Sequence, residues 1–308
     1  MLEMLLERFH RGDRLALSRL VSLVARGERT EEVLNGVGPR RKPARVVAVT
    51  GSGGVGKSTL VGRLIGQARS HGERVAVLAC DPQSPVSGGA LLGDRFRMPA
   101  RPDDEGVFIR SLAAAGGRGA VAEHLGPLVR LLEAFGFDMV LIETVGAGQG
   151  DTVVRDLADV LVLLLQPETG DDLQWEKAGV LEVADVIVIH KADLPGAERV
   201  EAQVLTALGL SGAPAPPVVR VSARTGSGLE ELWAAVRARP LRRPAATTGR
   251  DLLRQAQEVL AARFAAALAA RDPGLERVLG AWRDGRLTAA QAAAAMLRLL
   301  ADVPSTVP

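Results

Sequence analysis

The sequence predicts an α/β fold, a mostly parallel sheet covered by helices, with helical extensions at both ends. Three observations predict it. Six short β-branched runs are almost wholly apolar, which suits strands buried on both faces. Stretches of helical period separate them. Pro- and Gly-rich breaks set off the first and last segments.

Taken in order, residues 1–35 read as a helical arm, with Leu15, Leu17, Leu20, Val21, Leu23 and Val24 at roughly helical spacing. Gly36 to Pro43 is a Gly/Pro/basic break. The predicted strands are Val46–Thr50, Val75–Ala79, Met139–Ile142, Val160–Leu165, Val186–Ile189 and Val218–Val221. Pro214 to Pro217 is a loop before the last of them, and Arg239 to Thr248 reads as a linker. Beyond it, 251–270 and 287–301 are Ala/Leu-rich helices joined around Asp272-Pro273-Gly274 and Asp284-Gly285. The expected organisation is an arm over 1–43, a nucleotide-binding core over 44–238 and a helical appendage over 249–308, packing on the core or on a second subunit.

Composition excludes several classes. The 38 basic and 36 acidic residues leave a net charge of +2, which gives no reason to expect nucleic acid as a partner. One cysteine, Cys80, allows no internal disulfide and no CxxC zinc site, and fits a reducing cytoplasm. The N-terminus interleaves charged and apolar residues, and no apolar run approaches the roughly 18 residues of a membrane span, so neither export nor membrane insertion is expected. Of the chain's lysines, Lys57, Lys177 and Lys191 fall inside motifs, in a sequence that otherwise strongly prefers Arg.

The first predicted strand runs into Gly51-Ser52-Gly53-Gly54-Val55-Gly56-Lys57-Ser58, followed by Thr59. This is the GxxxxGK[ST] P-loop in its required setting of strand, loop and helix. Its glycines let backbone N–H groups wrap phosphates, and the helix N-terminus adds positive dipole. Lys57 is expected to reach the β- and γ-phosphates, and the Ser58 hydroxyl to ligate Mg²⁺.

A strand that ends in a carboxylate and turns through glycine is the second requirement. Asp138-Met-Val-Leu-Ile-Glu143-Thr-Val-Gly146 supplies it, with Glu143 for the metal and the Gly146 N–H for the γ-phosphate. Between the two motifs, Asp81 and Asp94 are candidates to face the Mg²⁺ or the attacking water. Alternatively, Asp81 caps a turn and Asp94 is a surface turn residue.

Base choice is read from His190-Lys191-Ala192-Asp193, which matches the guanine motif NKxD at three of four positions. Asp193 can accept both the ring N–H and the exocyclic amine of guanine, while a carboxylate facing adenine would be left unpaired at a cost of about 1–3 kcal/mol. The Lys191 stem can lie over the base. His190 stands where Asn is usual; it can donate one hydrogen bond to the base or the P-loop, or be a strand-end histidine satisfied by backbone. Ser222-Ala223-Arg224 matches the short loop whose backbone N–H groups meet the guanine carbonyl. Together these elements predict a Mg²⁺-dependent GTPase holding GTP or GDP.

With these motifs in this order, the chain resembles the MeaB/ArgK family of GTPases associated with adenosylcobalamin-dependent methylmalonyl-CoA mutase. The distinguishing residues are Asp81-Pro-Gln-Ser, Gly88-Gly89-Ala-Leu-Leu-Gly93-Asp94, Glu143-Thr-Val-Gly146-Ala-Gly-Gln149, and Gly170-Asp-Asp172-Leu-Gln174-Trp-Glu-Lys177 with Glu182-Val-Ala-Asp185. The N- and C-terminal segments match as well, so the resemblance spans nearly the whole chain. It implies a homodimer held partly by the C-terminal helices, acting as a chaperone that gates cobalamin loading and protection on an acyl-CoA mutase. It also implies that Gln149, Asp172, Gln174 and Lys177 respond to nucleotide state and partner; read alone, Gln174, Lys177 and Val180 are equally one helix face. His190 departs from the family's Asn, and the role of the charged stretch Arg101 to Glu105 is not readable.

The expected chemistry is in-line attack of water on the γ-phosphate, with Lys57 and Mg²⁺ neutralising charge. No Gln directly follows Gly146, so intrinsic turnover is expected to be slow. Two rivals remain at this stage. A nickel or cobalt metallochaperone would need a metal-binding cluster, which Cys80 and the scattered His10, His71, His124 and His190 do not offer. A P-loop kinase would transfer phosphate to a protein.

Overall fold

A computed structural model of the chain describes residues 1–38, 42–82, 104–114, 120–144, 150–167, 181, 183–210, 215–242, 256, 260–261 and 263–301. Two compact units divide it, Met1–Arg242 and Arg243–Pro308.

In the first unit all six apolar runs are strands: β1 (Arg45–Gly51), β2 (Val75–Pro82), β4 (Met139–Glu143), β5 (Val160–Leu165), β6 (Val186–His190) and β7 (Val218–Val221). A further strand, β3 (Val107–Ala114), pairs with β2 and, among the described residues, forms the sheet's edge. The order is β3-β2-β4-β1-β5-β6-β7, and every pairing is parallel. A parallel sheet must be covered on both sides. Alternate residues of β1 accordingly enter different cores. Val46 and Ala48 pack with α1 (Leu2–His10), α2 (Arg14–Ala25), α3 (Thr30–Val37), α5 (Ala120–Phe135) and α6 (Gly150–Leu157). Val47 and Val49 pack with α4 (Lys57–Ser70) and α8 (Leu229–Ala238). A third cluster joins β5 and β6 to α7 (Ala197–Leu210) through residues such as Ile187 and Val204. Each fully buried Leu, Ile or Val contributes roughly 1.5–3 kcal/mol.

The N-terminal segment is three helices where the sequence reads as one arm, and it belongs to the same unit as the sheet. The chain breaks at Gly12 and Gly27, both with left-handed φ (82° and 70°). Asp13 then restarts the helix by accepting hydrogen bonds from the N–H groups of Leu15 (2.8 Å) and Ala16 (3.1 Å). Phe9 of α1 meets Phe135 of α5 at a ring-centroid distance of 5.1 Å.

Asp104 explains part of the charged stretch that precedes β3. Its carboxylate pairs with Arg69 of α4 at 2.9 Å and accepts the Gly106 N–H at 2.9 Å, fixing the entry to the strand.

At the N-terminal edge of the sheet, three aspartates form the same closed bracket with a neighbouring strand. Asp159 Oδ2 accepts the Val46 N–H (2.8 Å), while the Asp159 N–H donates to the Val46 carbonyl (2.8 Å). Asp185 and Leu161 repeat this at 2.8 and 2.9 Å, and Asp138 and Arg74 at 2.9 Å both ways. Each bracket satisfies backbone groups that a strand end would otherwise leave unpaired. Asp185 is also paired with Arg155 and Arg242.

In the second unit, α9 (Pro273–Arg283) and α10 (Ala289–Ala301) pack together. The sequence reading treats Asp272-Pro273-Gly274 as a joint, but it is a helix start. Asp272 accepts hydrogen bonds from the Gly274 and Leu275 N–H groups (2.8 and 3.0 Å), with Pro273 in the first turn. Among the described residues no helix is long and apolar enough to cross a membrane.

Candidate functional site

The C-terminal ends of β1, β2 and β4 reach one level of the sheet: Val49 pairs with Glu143, and Glu143 with Ala79. After β1 the strand order reverses direction, with β4 on one side and β5 on the other. That is the position where open α/β sheets bind ligands.

The loop from Gly51 to Gly56 leaves β1 here and delivers α4 with Lys57 as its first residue. Gly51 must be glycine, because a β-carbon there would lie 2.6 Å from the Leu164 carbonyl oxygen. Val55 is fully buried and anchors the loop, while Gly53, Gly54 and Thr59 are exposed and Ser52 is half-buried. Lys57 Nζ donates to the carbonyls of Gly51 (2.8 Å) and Ser52 (3.1 Å), which holds the ammonium against the loop. Ser58 Oγ donates to Glu143 Oε1 at 2.7 Å, joining the P-loop helix to the tip of β4. The two side chains are 7% and 5% exposed, so a hydroxyl and a carboxylate, both hard oxygen ligands, meet in a nearly dry place. That donor set fits Mg²⁺. Beside them, Thr144 Oγ1 donates to Thr50 Oγ1 (3.0 Å), a buried pair that the sequence reading does not single out.

Asp81 lies near the end of β2, its backbone level with Ala113; its side chain is outside the described set. Asp94, Gly146, Gln149, Asp172, Gln174 and Lys177 lie outside the described residues.

The elements that the sequence predicts to read the base sit at the ends of β6 and β7. Lys191 takes a left-handed φ of 55° and turns the chain out of β6, and the Ala192 N–H donates to the Val221 carbonyl (3.1 Å). Asp193 thereby meets the loop after β7. Its Oδ1 accepts the Ser222 hydroxyl (2.5 Å), and its Oδ2 accepts Nε (3.0 Å) and Nη2 (2.7 Å) of Arg224. The hydrogen bonds from Ser222 and Arg224 hold the Asp193 carboxyl below its usual range, so it is ionised at neutral pH. Ser222 and Ala223 are buried.

Two bonds tie this loop pair to the P-loop and the helix that follows it. His190 Nδ1 lies 2.7 Å from the Val55 carbonyl; a carbonyl only accepts, so Nδ1 carries the proton. The ring is 3% exposed and lies against Gly56, whose φ is 99°. Burial pushes the imidazole below its ordinary range and keeps it neutral. Of the partners open to His190 from the sequence, the ring takes a backbone carbonyl of the P-loop, so the P-loop bond and the backbone-satisfied strand-end histidine are here the same contact. The second tie runs from Arg63 Nε of α4 to the Ala223 carbonyl (2.6 Å). Arg63 carried no sequence signal, since nothing in a helical arginine foretells a partner 160 positions away.

Residues 17–271 match the protein family described as methylmalonyl-CoA mutase-associated GTPase MeaB. A Pyrococcus abyssi protein is 42% identical over 240 residues, 76% of this chain and 74% of its own. The mouse protein described as methylmalonic aciduria type A homolog, mitochondrial, is 38% identical over 241 residues, 76% of this chain and 57% of its own. Among solved structures, one described as LAO/AO transport system kinase superposes with a TM-score of 0.57 at 24% identity, covering 97% of each chain, a likeness of fold. With its P-loop and a match across most of its length, the chain belongs to the MeaB family and is a P-loop GTPase.

Proposed function

We propose that this GTPase binds Mg²⁺–GTP at the β1–β4 crevice and acts as a homodimeric chaperone for an adenosylcobalamin-dependent acyl-CoA mutase, gating cofactor loading and protection. The observation that carries the nucleotide half is the Ser58–Glu143 hydrogen bond of 2.7 Å beside Lys57. Ser58 would hold the metal, with Glu143 behind it and Asp81 and Asp94 as further carboxylates. A bound Mg²⁺ would supply positive charge to the phosphate oxygens. Lys57 would exchange the loop carbonyls for phosphate oxygens, and Asp193 would select the base. The loops holding Gly146 and Gln149, and Asp172, Gln174 and Lys177, would respond to the nucleotide and to the partner. The family match over residues 17–271 supports the mutase role. Trp282 on α9 and Leu297 and Leu299 on α10 are 39–48% exposed, apolar side chains of the kind a second copy would cover.

The test is GTP hydrolysis by the purified protein with and without a cobalamin-dependent acyl-CoA mutase from the same source, with ATP as control. Slow GTP turnover that the mutase stimulates supports the proposal. GTP turnover indifferent to any mutase removes the chaperone role and leaves the GTPase. Light scattering at several concentrations tests the dimer.

A further inference from the structure

We infer that the Arg224 side chain is an internal competitor for the base, holding the acceptor sites of Asp193 that a guanine would use and yielding them when the nucleotide docks. The inference rests on the proposed nucleotide reading of this loop pair.

The argument is one of lone pairs. Each carboxylate oxygen offers about two acceptor sites. Oδ1 of Asp193 has one site filled by the Ser222 hydroxyl, whereas both sites of Oδ2 are filled by Nε and Nη2 of the same guanidinium. A guanine offers the carboxylate two N–H donors from one planar edge, and a guanidinium offers two N–H donors from one planar fork. Both cannot be accommodated on Oδ2. One partner must leave when the base arrives, and the structure shows which.

Ser222 is 1% exposed, and its hydroxyl also accepts the Thr225 N–H at 3.2 Å. Its backbone is fixed by bonds from the Ser222 N–H to the Ser227 carbonyl (3.0 Å) and from the Gly226 N–H to the Ser222 carbonyl (2.8 Å). The Arg224 side chain is 77% exposed, so it can swing into water at little cost while the backbone of the loop stays in place. An exposed ion pair of this kind is worth a factor of about two to five in an equilibrium. Arg224 therefore slows entry without blocking it.

The experiment is stopped-flow association of a guanine nucleotide carrying a ribose fluorophore, with Mg²⁺, to the wild-type chain, Arg224→Ala and Arg224→Lys at low and high salt. Arg224→Ala is expected to associate about two- to five-fold faster at low salt with an unchanged dissociation rate. Arg224→Lys, with a compact ammonium in place of the fork, falls between. High salt narrows the gap, because the competing contact is an exposed ion pair. Unchanged association with faster dissociation would overturn the inference, since it would put Arg224 on the bound nucleotide. A gap indifferent to salt would overturn it as well. If no variant, wild type included, binds guanine nucleotide, the nucleotide reading itself fails and this inference falls with it.

Discussion

Placing an alanine at Gly56 tests the contact between the phosphate loop and the base strand. A β-carbon there would lie 2.5 Å from Cε1 and 2.7 Å from Nδ1 of His190, and the residue would keep a φ of 99°. Left-handed backbone costs a non-glycine residue about 1–2 kcal/mol. The ring cannot shift without giving up its bond to the Val55 carbonyl, about another 1 kcal/mol. Gly56→Ala should therefore destabilise the unit Met1–Arg242 by about 2–3 kcal/mol, lowering Tm by roughly 4–12 °C for a unit of that size. The assay is a double-mutant cycle by urea denaturation. In a His190→Ala background the steric part disappears and Gly56→Ala should cost only about 1–2 kcal/mol, a coupling of about 1 kcal/mol. Equal penalties in the two backgrounds would show that the ring and the loop do not bear on each other.

Three further outcomes are expected. Because burial holds the folded-state His190 below its unfolded value of 6.5, its contribution is fully present above that pH. Below it the unfolded chain takes up the proton more readily, and stability falls. Urea midpoints at pH 7.5 and 5.5 should therefore fall further for the wild type than for His190→Asn. Asp193→Asn turns one acceptor into a donor; competition binding should show GTP weakened at least about tenfold and the xanthine nucleotide, with a carbonyl in place of the exocyclic amine, improved. Asp159→Ala leaves the buried Val46 N–H without its acceptor and should cost about 1–3 kcal/mol in chemical denaturation, while Asp159→Asn, which keeps an oxygen, should cost less.

What the sequence disclosed follows from how local each signal is. Strands β1, β4, β5 and β6 read as near-continuous apolar runs because both of their faces are buried, β7 keeps its valines around an exposed Arg220, and the P-loop is legible because its glycines and lysine are contiguous. Strand β3 was missed because Val107-Phe-Ile-Arg-Ser-Leu-Ala-Ala114 is an edge strand whose middle, at Ile109, Arg110 and Ser111, is only half-buried, so polar residues interrupt the run. The breaks at Gly12 and Gly27 were present in the sequence, but helical spacing of the leucines between them masked the turns. The pairing of His190 with Val55 joins residues 135 positions apart, and no composition or period carries that information. The Asp193–Ser222–Arg224 cluster is intermediate: both motifs were visible, yet that the arginine fork closes on the carboxylate emerges only once β6 and β7 lie side by side.

The aspartate brackets at the far edge of the sheet act as zero marks for the strands. Slipping one strand by a single residue would move every side chain to the opposite face and shift the strand end by about 3.3 Å. That shift would exceed the whole distance between Ser58 and Glu143. Since Val46 is indexed to Asp159, Leu161 to Asp185 and Arg74 to Asp138, such a slip breaks two hydrogen bonds at once at the end where no chemistry is proposed. Alignment of the opposite tips, where the nucleotide site is proposed, is thus set some five residues upstream of them. A loop at the opposite edge could therefore change length or sequence without dephasing the strands that carry it.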